Sequence, residues 1–270
     1  MVEEKYALFD TDFISKMHLI RKDEENYLID RIMEMPNYRF YCHEQIRAEL
    51  ARHNIAGSLE WLENNISSSR VTCYGDENIL ENLECIYGDS SYLMYAQLLQ
   101  TACEAYHAGY FALHFPKIAG LDYRNISREL FLESLEEDEM NIGTGNNLGE
   151  IKTYVLLKAL KLKYDTPIYI FCSDDRNARS GIISIGGVKC ISVLTSFIRL
   201  QEEIHFQRED AEPYIQSFLR LCDEKNQVNF KVQENSKERR LCKVPCHQVL
   251  DEIYEGKFEE SLTGTLKYKE

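Results

Sequence analysis

The chain has 270 residues, 44% hydrophobic and 28% charged, which is enough apolar material to bury a sizeable core. Its formal net charge of −14 argues against a protein that coats DNA, because the chain as a whole would repel a polyanion. Nine scattered cysteines without a basic and apolar leader favour reduced thiols, and no apolar run reaches the roughly 18 residues of a membrane span. We therefore expect a cytoplasmic protein with no membrane partner.

The first part of the chain alternates between strand and helix patterns. A strand is predicted near residues 5–10, followed by helical segments to about residue 35 and a short strand over 38–42. Residues 44–51 are good helix formers, and Pro36 and Asn37 supply a turn before the second strand. This alternation is typical of βαβ units, so the fold class predicted is α/β with a parallel sheet flanked by helices.

The middle of the chain is predicted to be a helical insertion, over about residues 57–140, because Trp61, Tyr95 and Leu99 belong to helical packing surfaces. The α/β pattern then resumes. We predict a helix over 148–164, a strand over 168–172, a helix over 176–183 and a strand over 188–194. Residues 1–200 thus form the main domain.

Residues 201–270 are more polar and are predicted to be a small α+β appendage of unassigned role. A helix through Tyr214, a hairpin near 229–242 and a last helix over 247–256 are its expected elements.

Acidic residues follow two of the predicted strands. Asp10 and Asp12 come after the first strand, and Asp174 and Asp175 come after the strand over 168–172. Ligands of open α/β sheets bind outside the carboxyl ends of the strands, so the two acidic clusters are expected to share one pocket. Taken singly, each has an ordinary explanation, such as a helix cap for Asp174 or Asp175.

Two glutamates on predicted helices complete a constellation of Asp10, Glu49, Glu150 and Asp175. Several carboxylates close together repel one another, and a divalent cation removes that penalty. Mg²⁺ or Mn²⁺ suits such hard oxygen ligands, and a bound cation of this kind can activate water against a phosphodiester. The sequence alone therefore favours metal-dependent phosphodiester hydrolysis without a protein nucleophile.

The same motifs resemble those of the PIN-domain nucleases. The chain reads Leu-Phe-Asp-Thr-Asp at 8–12, Glu-Leu at 49–50, Leu-Gly-Glu at 148–150 and Ser-Asp-Asp-Arg at 173–176. The family pattern has Asp-Thr-Asn/Asp after the first strand, Glu-Leu in an early helix, an acidic residue opening a later helix, and Thr/Ser-x-Asp after the fourth strand. The resemblance covers residues 5–195, is interrupted by the insertion, and does not reach the appendage.

What the resemblance implies is a PIN-like, Rossmann-like sheet and an Mg²⁺- or Mn²⁺-dependent endoribonuclease of the toxin, defence or RNA-processing type. Asp10, Glu49, Glu150 and Asp175 would be catalytic, with Asp10, Glu150 and Asp175 as metal ligands. Asp12, Ser173 and Asp174 would support them, and the spacing favours Asp175 over Asp174 only weakly.

The expected partner is RNA, although the chain is acidic overall, because residues 151–200 hold eight lysines and arginines against three acidic residues. Lys152, Arg176 and Arg179 are the predicted RNA contacts. An antitoxin or regulatory protein and a second copy of the chain are further expected partners.

Two other functions stay open at this point. Asp10 and Asp12 also resemble the nucleophile motif of haloacid-dehalogenase-like phosphatases, in which the first aspartate attacks phosphorus. Phe13 and Ile14 stand where that motif needs small residues, which ranks the phosphatase below the nuclease. The remaining alternative is a catalytically inert PIN-like binding module.

Overall fold

The computed structural model describes residues 4–53, 55, 57–106, 109–142, 147–164, 168–222, 227–234 and 238–269. At its centre is a five-stranded sheet in which every pairing is parallel. Its strands are β1 (Lys5–Phe9), β2 (Tyr38–His43), β3 (Val71–Tyr74), β4 (Ile168–Cys172) and β5 (Lys189–Ile191). Their spatial order is β3-β2-β1-β4-β5. This α/β architecture is compatible with a Rossmann-like fold, as the sequence predicted.

The order of the strands reverses beside β1. From β1 the chain adds β2 and β3 on one side of the sheet, and it then returns to place β4 and β5 on the other side. In register, Phe9 lies opposite Cys172, so β1 and β4 end at the same level. A crevice forms at such a switch point, outside the carboxyl ends of the strands.

Helices cover both faces of the sheet. Those before β4 are α1 (Thr11–Leu19), α2 (Leu28–Met33), α3 (Glu44–His53), α4 (Ser58–Ser67), α5 (Asp76–Tyr87), α6 (Ser91–Tyr106), α7 (Tyr110–His114), α8 (Pro116–Ala119), α9 (Arg128–Met140) and α10 (Leu148–Tyr164). Those after β4 are α11 (Arg176–Gly186), α12 (Val193–Ile204), α13 (Arg208–Leu221) and α14 (Cys246–Tyr254). Among the described residues, no helix combines the length and the apolar character needed to cross a membrane.

The sheet separates two hydrophobic cores. Successive side chains of a strand point to opposite faces, and β1 shows this alternation. Ala7 and Phe9 belong to the core formed with α1, α2, α4 and the C-terminal helices. Tyr6 and Leu8 belong to the core formed with α5, α6, α9 and α10. A strand buried on both faces reads as an almost continuous apolar run, which is why β1 was recognisable.

The predicted insertion over 57–140 is partly wrong, because its first part belongs to the sheet. β3 pairs in parallel with β2, with Val71 opposite Phe40 and Tyr74 opposite His43. The helices that follow β3 contribute to the second core, where Tyr95 and Phe131 are fully buried. They therefore cover one face of the sheet.

The domain boundary proposed at residue 200 falls inside α12. Side chains from beyond it, including Tyr214, Leu250 and Phe258, share one hydrophobic cluster with Phe9 of β1. The C-terminal region is thus continuous with the first core instead of being an appendage to it. It carries two antiparallel pairs, β6 (Gln227–Glu234) with β7 (Glu238–Pro245) and β8 (Phe258–Glu260) with β9 (Leu266–Tyr268).

The strand predicted over 188–194 is shorter than expected, because a helix begins at Val193. Ser192 caps that helix: its side chain accepts from the backbone N–H of Thr195, whose hydroxyl accepts from the backbone N–H of Ser192. This capping box stabilises a helix start inside an apolar run. The helix predicted over 148–164 is confirmed as α10.

A buried ionic cluster joins α10 to the helices that cover it. The ammonium group of Lys152 is fully buried and lies 2.8 Å from Asp76 Oδ1 at the start of α5. It also forms an ion pair with Glu139 of α9. The hydroxyl of Tyr95 donates to Asp76, and Nε2 of His43 lies 3.2 Å from the same carboxylate oxygen. The cluster therefore links β2, α5, α6, α9 and α10 around one cation.

We expect Lys152→Ala to destabilise the fold by about 3–5 kcal/mol, because removing one partner leaves the others buried and uncompensated. The matched control is Lys161→Ala on an exposed position of the same helix, with an expected change of at most about 0.5 kcal/mol. Urea unfolding of both variants measures the difference. Equal midpoints would show that the cluster does not contribute to stability.

Candidate active site

The carboxyl ends of β1 and β4 bring the two acidic motifs together. Asp10 follows β1 directly, is 4% exposed, and donates its backbone N–H to Cys172 O at 3.0 Å. Asp175 follows β4 and caps α11, where its side chain accepts from the backbone N–H groups of Asn177 and Ala178. Both aspartates thus occupy the switch point, where the sequence placed them.

Ser173 connects these two aspartates. Its hydroxyl donates to Asp10 Oδ2 at 2.7 Å and accepts from the backbone N–H of Asp175 at 3.1 Å. Its carbonyl oxygen accepts from Arg179 Nη1 at 2.8 Å, which holds the turn from the other side. The supporting role predicted for Ser173 therefore rests on hydrogen bonds to both aspartates.

Glu49 and Glu150 approach the same place from α3 and α10. The hydroxyl of Thr11 donates to Glu49 Oε2 at 2.6 Å, which fixes the carboxylate beside the end of β1. A Cβ at Gly149 would lie only 2.7 Å from Glu49 Oε1, so the absence of a side chain there lets the two helices approach. We call the group formed by Asp10, Glu49, Glu150 and Asp175, outside the carboxyl ends of β1 and β4, the acidic crevice.

The electrostatics of the acidic crevice show that its members interact. Burial, followed by the charge of Glu150, raises the pKa of Asp10 to about 8, although the hydrogen bond from Ser173 opposes the shift. Burial and then the charges of Glu49, Asp175 and Asp12 raise the pKa of Glu150 to about 7. At neutral pH the crevice therefore holds protons that isolated carboxylates would have lost.

Asp12 and Asp174 each form an ion pair with a lysine, whereas Asp10 and Asp175 form none with any described lysine. Lys16 Nζ lies 2.8 Å from Asp12 Oδ2 and 2.7 Å from Asp174 Oδ2. The other oxygen of Asp174 accepts from the backbone N–H of Val193 at 3.1 Å. Both oxygens of Asp174 are thus engaged, which favours Asp175 as the ligand of the pair.

Two of the three predicted RNA contacts are wrong. Lys152 is fully buried in the ionic cluster, and Arg179 is 6% exposed with its guanidinium bound to the carbonyl oxygens of Ser173 and Thr263. Arg176 is exposed beside Asp175 and stays a candidate.

Sequence reasoning missed two exposed cations and one hydroxyl at the crevice. Lys16 lies on α1, four residues after Asp12, and Arg52 Nη2 on α3 lies 4.0 Å from Glu49 Oε1. Their spacing from an acidic residue, four and three positions along a helix, was the available signal. Thr11, which orients Glu49, was visible only as the middle residue of the Asp-Thr-Asp motif.

The donor atoms of the acidic crevice suit a hard divalent cation, since all are carboxylate oxygens. Asp10 Oδ1 and Asp175 Oδ2 accept no hydrogen bond from any described residue, and the raised pKa of Asp10 and of Glu150 marks charge that a cation would stabilise. In the described part of the chain, no three acidic, histidine or cysteine side chains are gathered at ligand distances. The crevice thus supplies suitable donors without a closed ligand set.

Comparison with known proteins gave no match to a protein-family model, to a curated protein sequence or to a solved structure.

The raised pKa of Asp10 predicts how stability depends on pH when chelator is present. Between an unfolded value of about 3.9 and a folded value of about 8, the folded state binds more protons than the unfolded state. The free energy of unfolding therefore falls as pH rises through this interval. One pKa unit corresponds to about 1.4 kcal/mol, so the loss is several kcal/mol.

Asp10→Asn cannot ionise, so it should lose the part of this pH dependence that Asp10 contributes and keep the smaller part that comes from the raised pKa of Glu150, and it should become the more stable protein at pH above 8. Urea unfolding of wild type and variant across this range is the measurement. Glu136→Gln, an exposed carboxylate on α9, is the matched control and should follow wild type. Parallel curves for wild type and Asp10→Asn would contradict the assignment of a raised pKa to Asp10.

Proposed function

We propose that the chain is an Mg²⁺- or Mn²⁺-dependent endoribonuclease of the PIN-domain type. The observation that carries the proposal is the convergence of Asp10 and Asp175, from adjacent strand ends, with Glu49 and Glu150 in one crevice. Four neighbouring carboxylates, two of them buried and two partly buried, have a high electrostatic cost. Function explains that cost better than stability does, because an apolar replacement would remove the repulsion.

The residues divide the work according to their contacts. Asp10, Glu150 and Asp175 would hold the cation, which when bound supplies charge for the phosphate and lowers the pKa of water. Ser173 orients Asp10 through its hydroxyl, and Thr11 orients Glu49. Glu49, which lies against Gly149, would orient a water molecule and accept its proton. Hydrolysis then adds water across the phosphodiester and breaks one P–O bond.

RNA is the proposed substrate, and the cations at the crevice support a polyanionic ligand. Arg176 is exposed beside Asp175, and Arg52 lies beside Glu49. Such side chains bind phosphates and would offset the repulsion from a chain of net charge −14. A regulatory protein or antitoxin that covers the crevice fits this proposal, as does a cytoplasmic location.

A phosphatase that uses Asp10 as nucleophile receives less support. Phe13 and Ile14, which stand where the phosphatase motif needs small residues, are fully buried in the first core. Helix α1 also begins at Thr11, immediately after that aspartate.

Cleavage of assorted single-stranded and structured RNAs with Mg²⁺, Mn²⁺ or chelator tests the proposal. We expect cleavage only with a cation, and a loss of roughly 100-fold or more in Asp10→Asn and Glu150→Gln, because each removes a proposed ligand. Glu136→Gln should cleave as wild type does.

Three outcomes would contradict the nuclease assignment. Cleavage by Asp10→Asn equal to that of wild type would remove the acidic crevice as the site. Hydrolysis of p-nitrophenyl phosphate without RNA cleavage would favour the phosphatase. Inactivity on all substrates with either cation would favour the inert binding module.

A further inference from the structure

One lysine of α1 bridges the two aspartates that the acidic crevice does not use. The ammonium group of Lys16 lies 2.8 Å from Asp12 and 2.7 Å from Asp174, although these aspartates are 162 residues apart in the chain. Lys16 is about half exposed, with 47% of its side-chain surface accessible, so the bridge lies at the solvent edge of the crevice. It joins α1 to the turn between β4 and α11.

In each pair of aspartates, one member binds Lys16 and the other belongs to the acidic crevice. We call the first the outer and the second the inner aspartate. Asp174 uses one oxygen for Lys16 and the other for the backbone of α12. Asp175 uses Oδ1 to cap α11, and its charge reaches Glu150. After β1, Asp10 is buried against Ser173, whereas Asp12 is partly exposed and bound to Lys16. In both motifs the outer aspartate binds the lysine.

The outer aspartates would otherwise compete for a cation. The charge of Asp12 reaches both Asp10 and Glu150, so Asp12 lies within electrostatic range of the crevice. Mg²⁺ demands near-ideal geometry and is usually held by one or two carboxylates, so surplus carboxylates nearby offer alternative, misplaced ligand sets. An ammonium group that pairs with both aspartates would reduce this competition.

We propose that Lys16 is a positioning residue of the nuclease site, which occupies Asp12 and Asp174 so that Asp10 and Asp175 are the aspartates presented to the cation. The inference rests on the proposed function, because it concerns the placement of the cation within the same crevice. Lys16 acts here through the two carboxylates and not by contact with the substrate.

The test compares Lys16→Met, which removes the charge but keeps an unbranched side chain, with Lys16→Arg, which keeps the charge. Lys161→Met, on an exposed position of α10, is the matched control. Binding of Mn²⁺ to the full chain is followed by electron paramagnetic resonance, and RNA cleavage gives kcat and KM. Thermal unfolding in chelator confirms that each variant is folded.

We expect Lys16→Met to bind Mn²⁺ with an altered spectrum or an additional ion, and to lose about tenfold in kcat with little change in KM. Lys16→Arg should restore both properties. Adding Asp174→Asn to Lys16→Met should recover part of the kcat, because the competing carboxylate is gone.

Other results would overturn the inference. A raised KM with unchanged kcat and unchanged Mn²⁺ spectrum would make Lys16 a phosphate contact. Wild-type behaviour of Lys16→Met in an active enzyme would show that the bridge is only structural. Failure of the proposed function is distinct, because the wild-type chain itself would then neither bind Mn²⁺ nor cleave RNA.

Discussion

The repulsion between carboxylates that are shielded from water is the constraint on which the arrangement around the crevice depends. Burial and then the charge of Glu150 raise the cost of ionising Asp10, and burial and the charges of Glu49, Asp175 and Asp12 do the same for Glu150. Ser173 relieves part of this cost by donating its hydroxyl to Asp10, and Thr11 holds Glu49 through a hydrogen bond of its own. The hydroxyl groups do not neutralise the carboxylates, and a divalent cation would bind the negative charge that remains.

Contacts outside the crevice hold the repelling carboxylates in place. Parallel pairing fixes the ends of β1 and β4 at one level, and Arg179 holds the turn after β4 through a backbone carbonyl. On α10, Glu150 enters the crevice while Lys152, two residues later, anchors the helix in the buried ionic cluster. Gly149, directly before Glu150, lets α10 approach Glu49. One helix thus carries both an anchor and a functional carboxylate.

Much of this could be predicted from the sequence, because strand ends and helix starts are local signals. Asp10 and Asp175 follow apolar runs, and parallel strands bring their ends to one edge. β3 could not be predicted, since its four residues become a strand only through pairing with β2. The burial of Lys152 could not be predicted either, because its partner Asp76 lies 76 residues earlier in the chain. In sequence, Lys152 also resembles the other lysines of α10, which suggest a solvated face.

Anomalous diffraction from crystals of the wild-type chain soaked in Mn²⁺ would show whether the acidic crevice binds a cation, because it locates the ion independently of any substrate. We expect an Mn²⁺ peak bounded by carboxylate oxygens of Asp10, Glu150 and Asp175, and loss of that peak in Asp10→Asn. A peak held instead by Asp12 and Asp174, or Mn²⁺ sites only elsewhere on the chain, would contradict it.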